Sequence, residues 1–189
     1  MAVSIVLGGL KHCGKTTHGR RLADRLGLTF IDADDEILKG PRAAGCGTCR
    51  DLCRRIGETG FRQLEAETLA RLAETPHAGR VLALGGGAAG NPFVDPAVWK
   101  KLGFLIYLDL EPEAAYRRIE ASGLPPFLAE TPDPHAAFRA RHREQDRFWR
   151  AHADRIVTIA AEESVEAVAE KLEKLVPSAV PAAEKEERR

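Results

Sequence analysis

The first residues suited to chemistry are the run Gly-Leu-Lys-His-Cys-Gly-Lys-Thr at positions 9–16, which fits the pattern G-x-x-x-x-G-K-[ST] without exception. It follows an apolar run at residues 3–7, as this phosphate-binding motif requires. Its glycines allow a tight turn whose N–H groups point at phosphate oxygens, and the following helix adds the positive end of its dipole. The motif therefore predicts a site for a nucleoside triphosphate. The predicted nucleotide-binding residues are Gly9, Leu10, Lys11, His12, Cys13, Gly14, Lys15, Thr16 and Thr17.

Two side chains of this loop have predicted chemical roles. Lys15 would reach the outer phosphates and offset the charge of the transferred group, which makes it a candidate catalytic residue. The Thr16 hydroxyl would join the shell of a Mg²⁺ ion.

Acidic residues follow the next apolar run, at Asp32, Asp34 and Asp35. In an extended segment Asp32 and Asp34 point the same way, toward the phosphate loop. One carboxylate can then hold a metal-bound water while the other accepts a proton from an attacking hydroxyl. The alternative is a helix N-cap, which Asp35 in particular suits.

A third group combines Arg62 and Glu65 with the glycines Gly85, Gly86 and Gly87. Arg62 and Glu65 are three residues apart on a predicted helix, so they can pair. A guanidinium held in this way can bind a substrate carboxylate through two hydrogen bonds, although an exposed ion pair without function is the alternative. Three glycines after a strand give a surface on which a ligand can lie against the backbone.

The elements that must position these residues alternate between strand and helix. Apolar runs predict buried strands at residues 4–7, 29–31, 81–84, 104–110 and 156–159. Helical spacing predicts helices at residues 16–26, 60–73, 112–121, 136–150 and 164–176. We therefore expect an α/β fold with three layers, in which a doubly wound, parallel, five-stranded sheet binds ligands at the carboxyl ends of its strands.

The chain length predicts one domain, over residues 1–176. Within it, residues 122–134 hold four prolines and one glycine, which predicts a mobile loop without a regular element. Residues 177–189 lack any periodicity and predict a disordered tail.

Charge and hydropathy limit the classes of partner. Lys plus Arg and Asp plus Glu both number 28, so the net charge gives no reason to expect nucleic acid or an anionic membrane surface. No run approaches the ~20 apolar residues of a membrane helix, and the N-terminal run is too short for a signal peptide. We expect a cytoplasmic monomer or weak dimer whose partners are ATP and a small-molecule substrate.

Cysteines at Cys46, Cys49 and Cys53 form a separate cluster. Reduced cysteines are expected in the cytosol, and Cys49 and Cys53 would share a helical face. These thiols can form part of a tetrahedral zinc site, or they can simply be buried as small apolar groups. A fourth zinc ligand would come from His12, Cys13 or His77.

Together, these motifs resemble the shikimate kinase family over about residues 3–176. The coinciding motifs are the phosphate loop, F-I-D-x-D at residues 30–34, G-E-x-x-F-R-x-x-E at residues 57–65 and the triple glycine. The resemblance implies a P-loop fold of the nucleoside-monophosphate-kinase type. It also implies transfer of phosphate from ATP, with Mg²⁺, to a hydroxyl of shikimate, giving 3-phosphoshikimate for aromatic amino acid biosynthesis.

The resemblance further implies residue roles. Asp34 would contact the substrate hydroxyls and act as the catalytic base, Asp32 would support Mg²⁺ through water, and Arg62 would bind the substrate carboxylate. The triple glycine would line the ring pocket, within a substrate-binding segment of about residues 35–62 and a lid of about residues 122–135. Arg118 matches the arginine that stacks on adenine.

Two positions depart from the family pattern. The lid sequence Arg-Pro-Leu, whose arginine reaches the transferring phosphate, is replaced by Leu-Pro-Pro at residues 124–126. An arginine for the substrate carboxylate aligns with Gln145, with Trp149 in place of a tyrosine. We predict that Arg143 binds the substrate instead, with Arg141 as the alternative, and either residue would need the helix to be shifted. Candidates for the missing lid cation are Arg139, Arg141 and Arg143.

These departures leave two other functions open. One is a kinase for another polyol acid, such as gluconate. The other is a nucleotide-binding module that senses metal or redox state through the cysteines and has little turnover.

Overall fold

The five strands form one parallel sheet in the order β2-β3-β1-β4-β5. The structure is a computed structural model that describes residues 4–75 and 79–177, without the side chains of residues 126 and 127. Every residue of β1 and β3 is buried, including Ser4 and Arg80 at their first positions, as expected for strands covered on both faces. The strands are β1 (Ser4–Gly9), β2 (Thr29–Asp32), β3 (Arg80–Ala83), β4 (Phe104–Leu110) and β5 (Arg155–Ile159).

Helices cover both faces of the sheet, which confirms the predicted three-layer α/β fold. The alternation of side chains along β1 sends Ile5 and Leu7 to one apolar core and Val6 to the other. The first core is closed by α1, α5 and α8, and the second by α3, α4 and α7. The helices are α1 (Lys15–Leu26), α2 (Ala33–Leu38), α3 (Cys49–Glu74), α4 (Pro96–Leu102), α5 (Pro112–Ala121), α6 (Pro126–Ala129), α7 (Pro134–His152) and α8 (Val165–Leu175).

One close contact fixes α7 against the strand that leads to the phosphate loop. A Cβ added to Gly8 would lie 2.7 Å from the ring of Trp149, which is fully buried. Only glycine therefore fits at this point of β1. The contact also sets which face of α7 is turned toward the carboxyl edge of the sheet.

Helix α3 contains a break at Gly57, where φ is 76° and ψ is 163°. Glycine adopts this conformation readily, whereas other residues do so with strain. The break separates a first segment, at residues 49–56, from a second segment, at residues 58–74. Only the second was predicted, as a helix at residues 60–73.

Residues 122–134 differ from their prediction. They were expected to lack regular structure, yet they contain α6 and the first residue of α7. Pro126 and Pro134 occupy the first positions of these two helices, where proline is tolerated because its missing N–H would have no helical partner. Proline here begins helices and does not exclude them.

Two other observations bear on the predicted organisation. No helix in residues 4–75 and 79–177 is both long enough and apolar enough to span a membrane. The predicted tail lies outside the described residues apart from Pro177, and His77 lies outside them as well.

Candidate active site

A cleft of about 650 Å³ opens at the carboxyl ends of β1, β2 and β3. This is the edge at which parallel α/β sheets bind ligands. The phosphate loop forms one wall, α3 and α7 form the opposite wall, and the acids after β2 lie between them. The cleft thus brings together most of the residues that the sequence singled out.

The phosphate loop is held by its own backbone and by buried side chains. Lys15 is 8% exposed, and its Nζ donates hydrogen bonds to the carbonyl oxygens of Gly9 at 3.0 Å and Leu10 at 2.8 Å. Cys13 is fully buried beneath the loop. Gly14 has a φ of 93°, and a Cβ there would lie 2.6 Å from the His18 ring. The glycines are therefore required both by backbone conformation and by space.

Asp32 combines the two roles that the sequence left open. Its Oδ1 accepts a hydrogen bond from the Asp34 N–H at 3.0 Å and so caps α2, while its Oδ2 accepts from the Thr16 hydroxyl at 2.7 Å. The expectation that Asp32 and Asp34 both lie in an extended segment is wrong, because the strand ends at Asp32 and α2 begins immediately. The cap nevertheless turns both carboxylates toward the cleft.

The hydroxyl oxygen of Thr16 and the carboxylate oxygen of Asp32 that it contacts are a pair that fits a magnesium ion. A hydroxyl and a carboxylate are ligands that Mg²⁺ accepts, often with water completing its shell. Thr16 and Asp32 both line the cleft beside the phosphate loop. They are the residues in the described chain that would hold the ion.

Asp34 lies between the phosphate loop and the opposite wall. Burial raises the pKa of its carboxyl, the charge of Asp32 raises it further, and Lys15 and Lys11 oppose the shift. A Cβ on Gly85 would lie 2.7 Å from Asp34 Oδ1 and 2.8 Å from Glu65 Oε1. Gly85 therefore leaves space between two carboxyl groups, as the prediction of a ring pocket beside the glycines requires.

Arg62 has a different partner from the one predicted. Its Nε donates to Glu58 Oε1 at 3.1 Å, one turn earlier on α3. Glu65 instead accepts from the Asn91 side chain at 2.8 Å, and the same amide donates to the Arg62 carbonyl at 2.9 Å. Burial raises the pKa of Glu65. Nothing in the sequence marked Asn91, because its role depends on a contact with a helix 26 residues away.

Helix α7 presents Arg141, and not Arg143, to the cleft. Gln145 is buried, and its Nε2 donates to the Gly86 carbonyl at 3.0 Å, which fixes the rotation of the helix. Arg141 is one turn before Gln145 and shares its face, whereas Arg143 falls on the opposite side. Arg143 is exposed and does not line the cleft, so the prediction for it is wrong.

Arg141 lies beside Arg62 on the wall of the cleft. Burial lowers the pKa of Arg141, and the charge of Arg62 lowers it further. Arg141, the alternative to Arg143, therefore lines the cleft, and its binding of a substrate stays a prediction. Arg139, the third candidate on this helix, lies 3.8 Å from Glu113 of α5.

Arg118 links α5 to the phosphate loop and to the segment that follows β5. Its Nη2 donates to the carbonyl of Ala161 at 2.7 Å, and its Nη1 donates to the carbonyl of His12 at 3.3 Å. His12 also contacts the Ser122 hydroxyl at 3.1 Å. Arg118 is thus placed next to the phosphate loop, and stacking on adenine stays a prediction.

The cysteine cluster behaves as part of a small apolar core. Cys46 and Cys49 pack against the cluster that contains Ile37 and Leu52. The Cys49 thiol donates to the Asp34 carbonyl at 3.4 Å, and burial together with nearby carboxylates raises its pKa to about 12. A thiol of this kind resists the deprotonation that zinc binding needs.

The predicted zinc site with Cys46, Cys49 and Cys53 therefore has no support. Within residues 4–75 and 79–177, no three His, Cys, Asp or Glu side chains are grouped so that they could hold a metal ion. Of the suggested fourth ligands, Cys13 is buried beneath the phosphate loop.

Comparison with known proteins places this site in a family. The family model for shikimate kinase matches residues 11–176. A shikimate kinase from Symbiobacterium thermophilum is 38% identical over 175 residues, which cover 92% of this chain and 96% of that protein. A shikimate kinase from Synechococcus sp. (strain CC9605) is 36% identical over 177 residues, covering 93% and 83%.

Solved structures agree with this result. Shikimate kinase from Acinetobacter baumannii in complex with shikimate superposes with a TM-score of 0.78 at 29% identity, covering 93% of each chain. Shikimate kinase from Bacteroides thetaiotaomicron gives a TM-score of 0.72 at 28% identity, covering 92% of this chain and 97% of that one. Deoxyadenosine kinase from M. mycoides shares the fold, with a TM-score of 0.55 at 13% identity.

Proposed function

Because the chain belongs to the shikimate kinase family, we propose that it transfers the terminal phosphoryl group of ATP to a hydroxyl of shikimate, giving 3-phosphoshikimate. The observation that carries this proposal is the meeting of the phosphate loop, Asp34 and Arg62 in one cleft. Each of these groups has a separate task in such a transfer. Aromatic amino acid biosynthesis is the pathway that this product serves.

The nucleotide phosphates bind in the loop of residues 9–17. The N–H groups of the loop and the start of α1 attract phosphate oxygens, and Lys15 adds a buried positive charge. Thr16 and, through water, Asp32 would hold Mg²⁺, which would supply positive charge to the outer phosphates. Arg118, fastened beside the loop, stacks on the adenine ring.

The acceptor is held by two arginines from different helices. Arg62 of α3 and Arg141 of α7 lie on the same wall, where the charge of Arg62 lowers the pKa of Arg141. A carboxylate between two guanidinium groups removes this repulsion and accepts several charge-assisted hydrogen bonds. The ring of the acceptor then lies against residues 85–87, where the absence of side chains leaves room.

Asp34 is the catalytic base. Its raised pKa makes the carboxylate a better proton acceptor than an ordinary surface aspartate. As the acceptor oxygen forms its bond to the terminal phosphorus, its proton passes to Asp34, and the bond between that phosphorus and the ADP oxygen breaks. Lys15 stabilises the charge that develops on the transferred group.

A coupled assay of ADP release tests the proposal. Purified protein is given ATP and Mg²⁺ with shikimate, with gluconate, or with no acceptor, and the phosphorylated product is identified by ³¹P NMR. We expect turnover in the presence of shikimate, and none with gluconate or without an acceptor. Turnover with gluconate would favour a kinase for another polyol acid, and ATP binding without turnover on either acceptor would favour a sensing module.

We also propose that residues 1–176 form a single kinase domain that works in the cytoplasm as a monomer or weak dimer. The packing of α1, α5 and α8 on one face of the sheet, and of α3, α4 and α7 on the other, supports the single domain. The zero net charge supports a small-molecule partner over nucleic acid or a membrane surface. Sedimentation velocity with and without nucleotide measures the oligomeric state.

A further inference from the structure

The lid of this chain contains no cation. Residues 122–133 include no lysine or arginine, and the segment contributes Pro125 and Glu130 to the cleft wall. Leu124, at the position of the missing arginine, is partly buried against the larger apolar core. An arginine finger that reaches the transferring phosphoryl group contributes about 10³- to 10⁵-fold to the rate.

The three candidate arginines of α7 do not fill this role. Arg139 pairs with Glu113 on the outer surface, and Arg143 is exposed away from the cleft. Arg141 does line the cleft, but it faces Arg62 and Glu65 on the acceptor wall. The replacement must therefore be sought among the other cations that line the cleft.

Lys11 lies where the nucleotide and acceptor halves meet. It belongs to the phosphate loop, yet a Cβ added to Gly86 would lie 3.0 Å from the Cβ of Lys11 and 3.3 Å from its backbone nitrogen. The third residue of the loop thus touches the glycine run that borders the acceptor pocket. Transfer of a phosphoryl group has to take place across this boundary.

The charges around Lys11 belong to the same reaction centre. Burial lowers the pKa of Lys11, and Arg50 and Lys15 lower it further, while the carboxylate of Asp34 raises it. Arg50, in the first turn of α3, also lines the cleft. Because interactions between charges weaken quickly with distance in salt solution, these effects mark neighbours. Lys11, Lys15 and Arg50 all line the cleft that contains Asp34, the proposed base.

We propose that Lys11 supplies the positive charge to the transferring phosphoryl group that the lid arginine supplies in the family pattern, with Arg50 as a second cation approaching from α3. This inference rests on the proposed function of the same cleft. An ammonium group is a compact point charge and can stabilise phosphate oxygens without the forked geometry of arginine. Lys11 belongs to the phosphate loop and not to the lid, so closure of the lid is not needed to bring this residue to the cleft.

The first test compares Lys11→Met with Lys11→Arg and with Lys100→Met, a control at an exposed lysine of α4 outside the cleft. We expect kcat of Lys11→Met with shikimate to fall about 100-fold, because the charge acts mainly in the transition state. The KM for shikimate and the Kd for ATP should change by less than about fivefold. Lys11→Arg should keep most of the turnover, and Lys100→Met should match the wild type.

A second measurement does not depend on turnover. The complex of ADP, Mg²⁺ and aluminium fluoride with shikimate imitates the transferring group, and calorimetry gives its affinity relative to ADP and Mg²⁺ alone. Wild-type protein should bind the fluoride complex more tightly, and Lys11→Met should lose about 100-fold of that advantage while still binding ADP. The inference is overturned if Lys11→Met binds the fluoride complex as much more tightly than ADP as the wild type does, or if its kcat equals that of the wild type.

The two proposals fail in different ways. If the wild type does not phosphorylate shikimate, the proposed function is wrong. If the wild type does so and Lys11→Met is equally fast, the function stands and the role of Lys11 is wrong. Adding Leu124→Arg to Lys11→Met separates a charge role from a structural one, because recovery of at least about tenfold in kcat is expected only if a cation was missing.

Discussion

The two halves of the cleft are built in different ways. The phosphate half comes from nine consecutive residues whose backbone and buried side chains hold one another, as the hydrogen bonds of Lys15 to Gly9 and Leu10 illustrate. The acceptor half is assembled from Asp34 of α2, Arg62 of α3 and Arg141 of α7, together with the glycines that follow β3. A local motif specifies the first half, whereas tertiary packing specifies the second.

This difference explains where the chain departs from its family pattern. In the phosphate half Gly9 and Gly14 have φ values of 145° and 93°, which favour glycine, and the motif is complete. In the acceptor half an arginine can move by one turn, from the position of Gln145 to Arg141, and still face the same cleft. A site formed by side chains thus allows a binding residue to change its position in the sequence, whereas a site formed by the backbone of a loop does not.

The largest expected effect comes from Asp34→Asn, which removes the base without disturbing the phosphate half. We expect kcat to fall about 10³-fold while the affinity for ATP is kept. The variant should also melt at a higher temperature at pH 7. Because the folded-state pKa of Asp34 is raised, its ionised form costs stability above that pKa, and the neutral amide removes the cost. Normal turnover, or loss of ATP binding, would contradict the assignment.

Replacing single glycines tests how closely the acceptor half is fitted. In Gly85→Ala the new Cβ would lie 2.7 Å from Asp34 and 2.8 Å from Glu65, whereas in Gly87→Ala it would meet only Arg141, at 4.0 Å. We expect kcat/KM for shikimate to fall about 100-fold in Gly85→Ala and less than about threefold in Gly87→Ala. Steady-state kinetics measures both, and equal losses would show that the difference in space does not matter.

Arginine variants test the exchange on α7. Arg141→Met should raise the KM for shikimate about 10- to 100-fold with a small change in kcat, since it removes a charge-assisted contact to the bound acceptor. Arg143→Met, on the opposite side of the helix, is the matched control and should have wild-type kinetics. Adding Gln145→Arg to Arg141→Met should lower the KM again. A higher KM in Arg143→Met than in Arg141→Met would reverse the assignment.

The smallest effect concerns stability at mildly acidic pH, where each half contains a buried histidine. Burial is the main cause that lowers the pKa of both His18, beside the phosphate loop, and His142, on α7. The unfolded chain therefore binds more protons, and the free energy of unfolding should fall as the pH drops below about 6.5.

Urea titrations of His18→Gln and His142→Gln at pH 5.5 and pH 7.5 measure this effect. Each variant should show a smaller loss between the two pH values than the wild type, by about 1 kcal/mol or less. The ordering of the two variants shows which half is more sensitive to protonation. If neither variant loses less stability than the wild type between pH 7.5 and pH 5.5, groups other than these two histidines cause the fall in stability at acidic pH.

The sequence predicted the sheet, the main helices and the phosphate loop because each follows from a local pattern. It did not predict α2 or α4, which have 6 and 7 residues and so are too short to show helical periodicity over two full turns. This omission led to the wrong geometry for Asp34. The partner of Glu65 and the rotation of α7 depend on Asn91 and Gln145, whose contacts join distant segments.

The contact between Trp149 and Gly8 has an optical consequence. The indole is fully buried, its Nε1 has no hydrogen-bond partner among the described residues, and its ring rests on the strand that enters the phosphate loop. Its fluorescence therefore comes from an apolar setting beside the nucleotide site, without any added dye. Trp99, the other tryptophan, lies 6.0 Å away between ring centres, so Trp99→Phe would leave Trp149 as the single tryptophan, at the strand that leads into the nucleotide site.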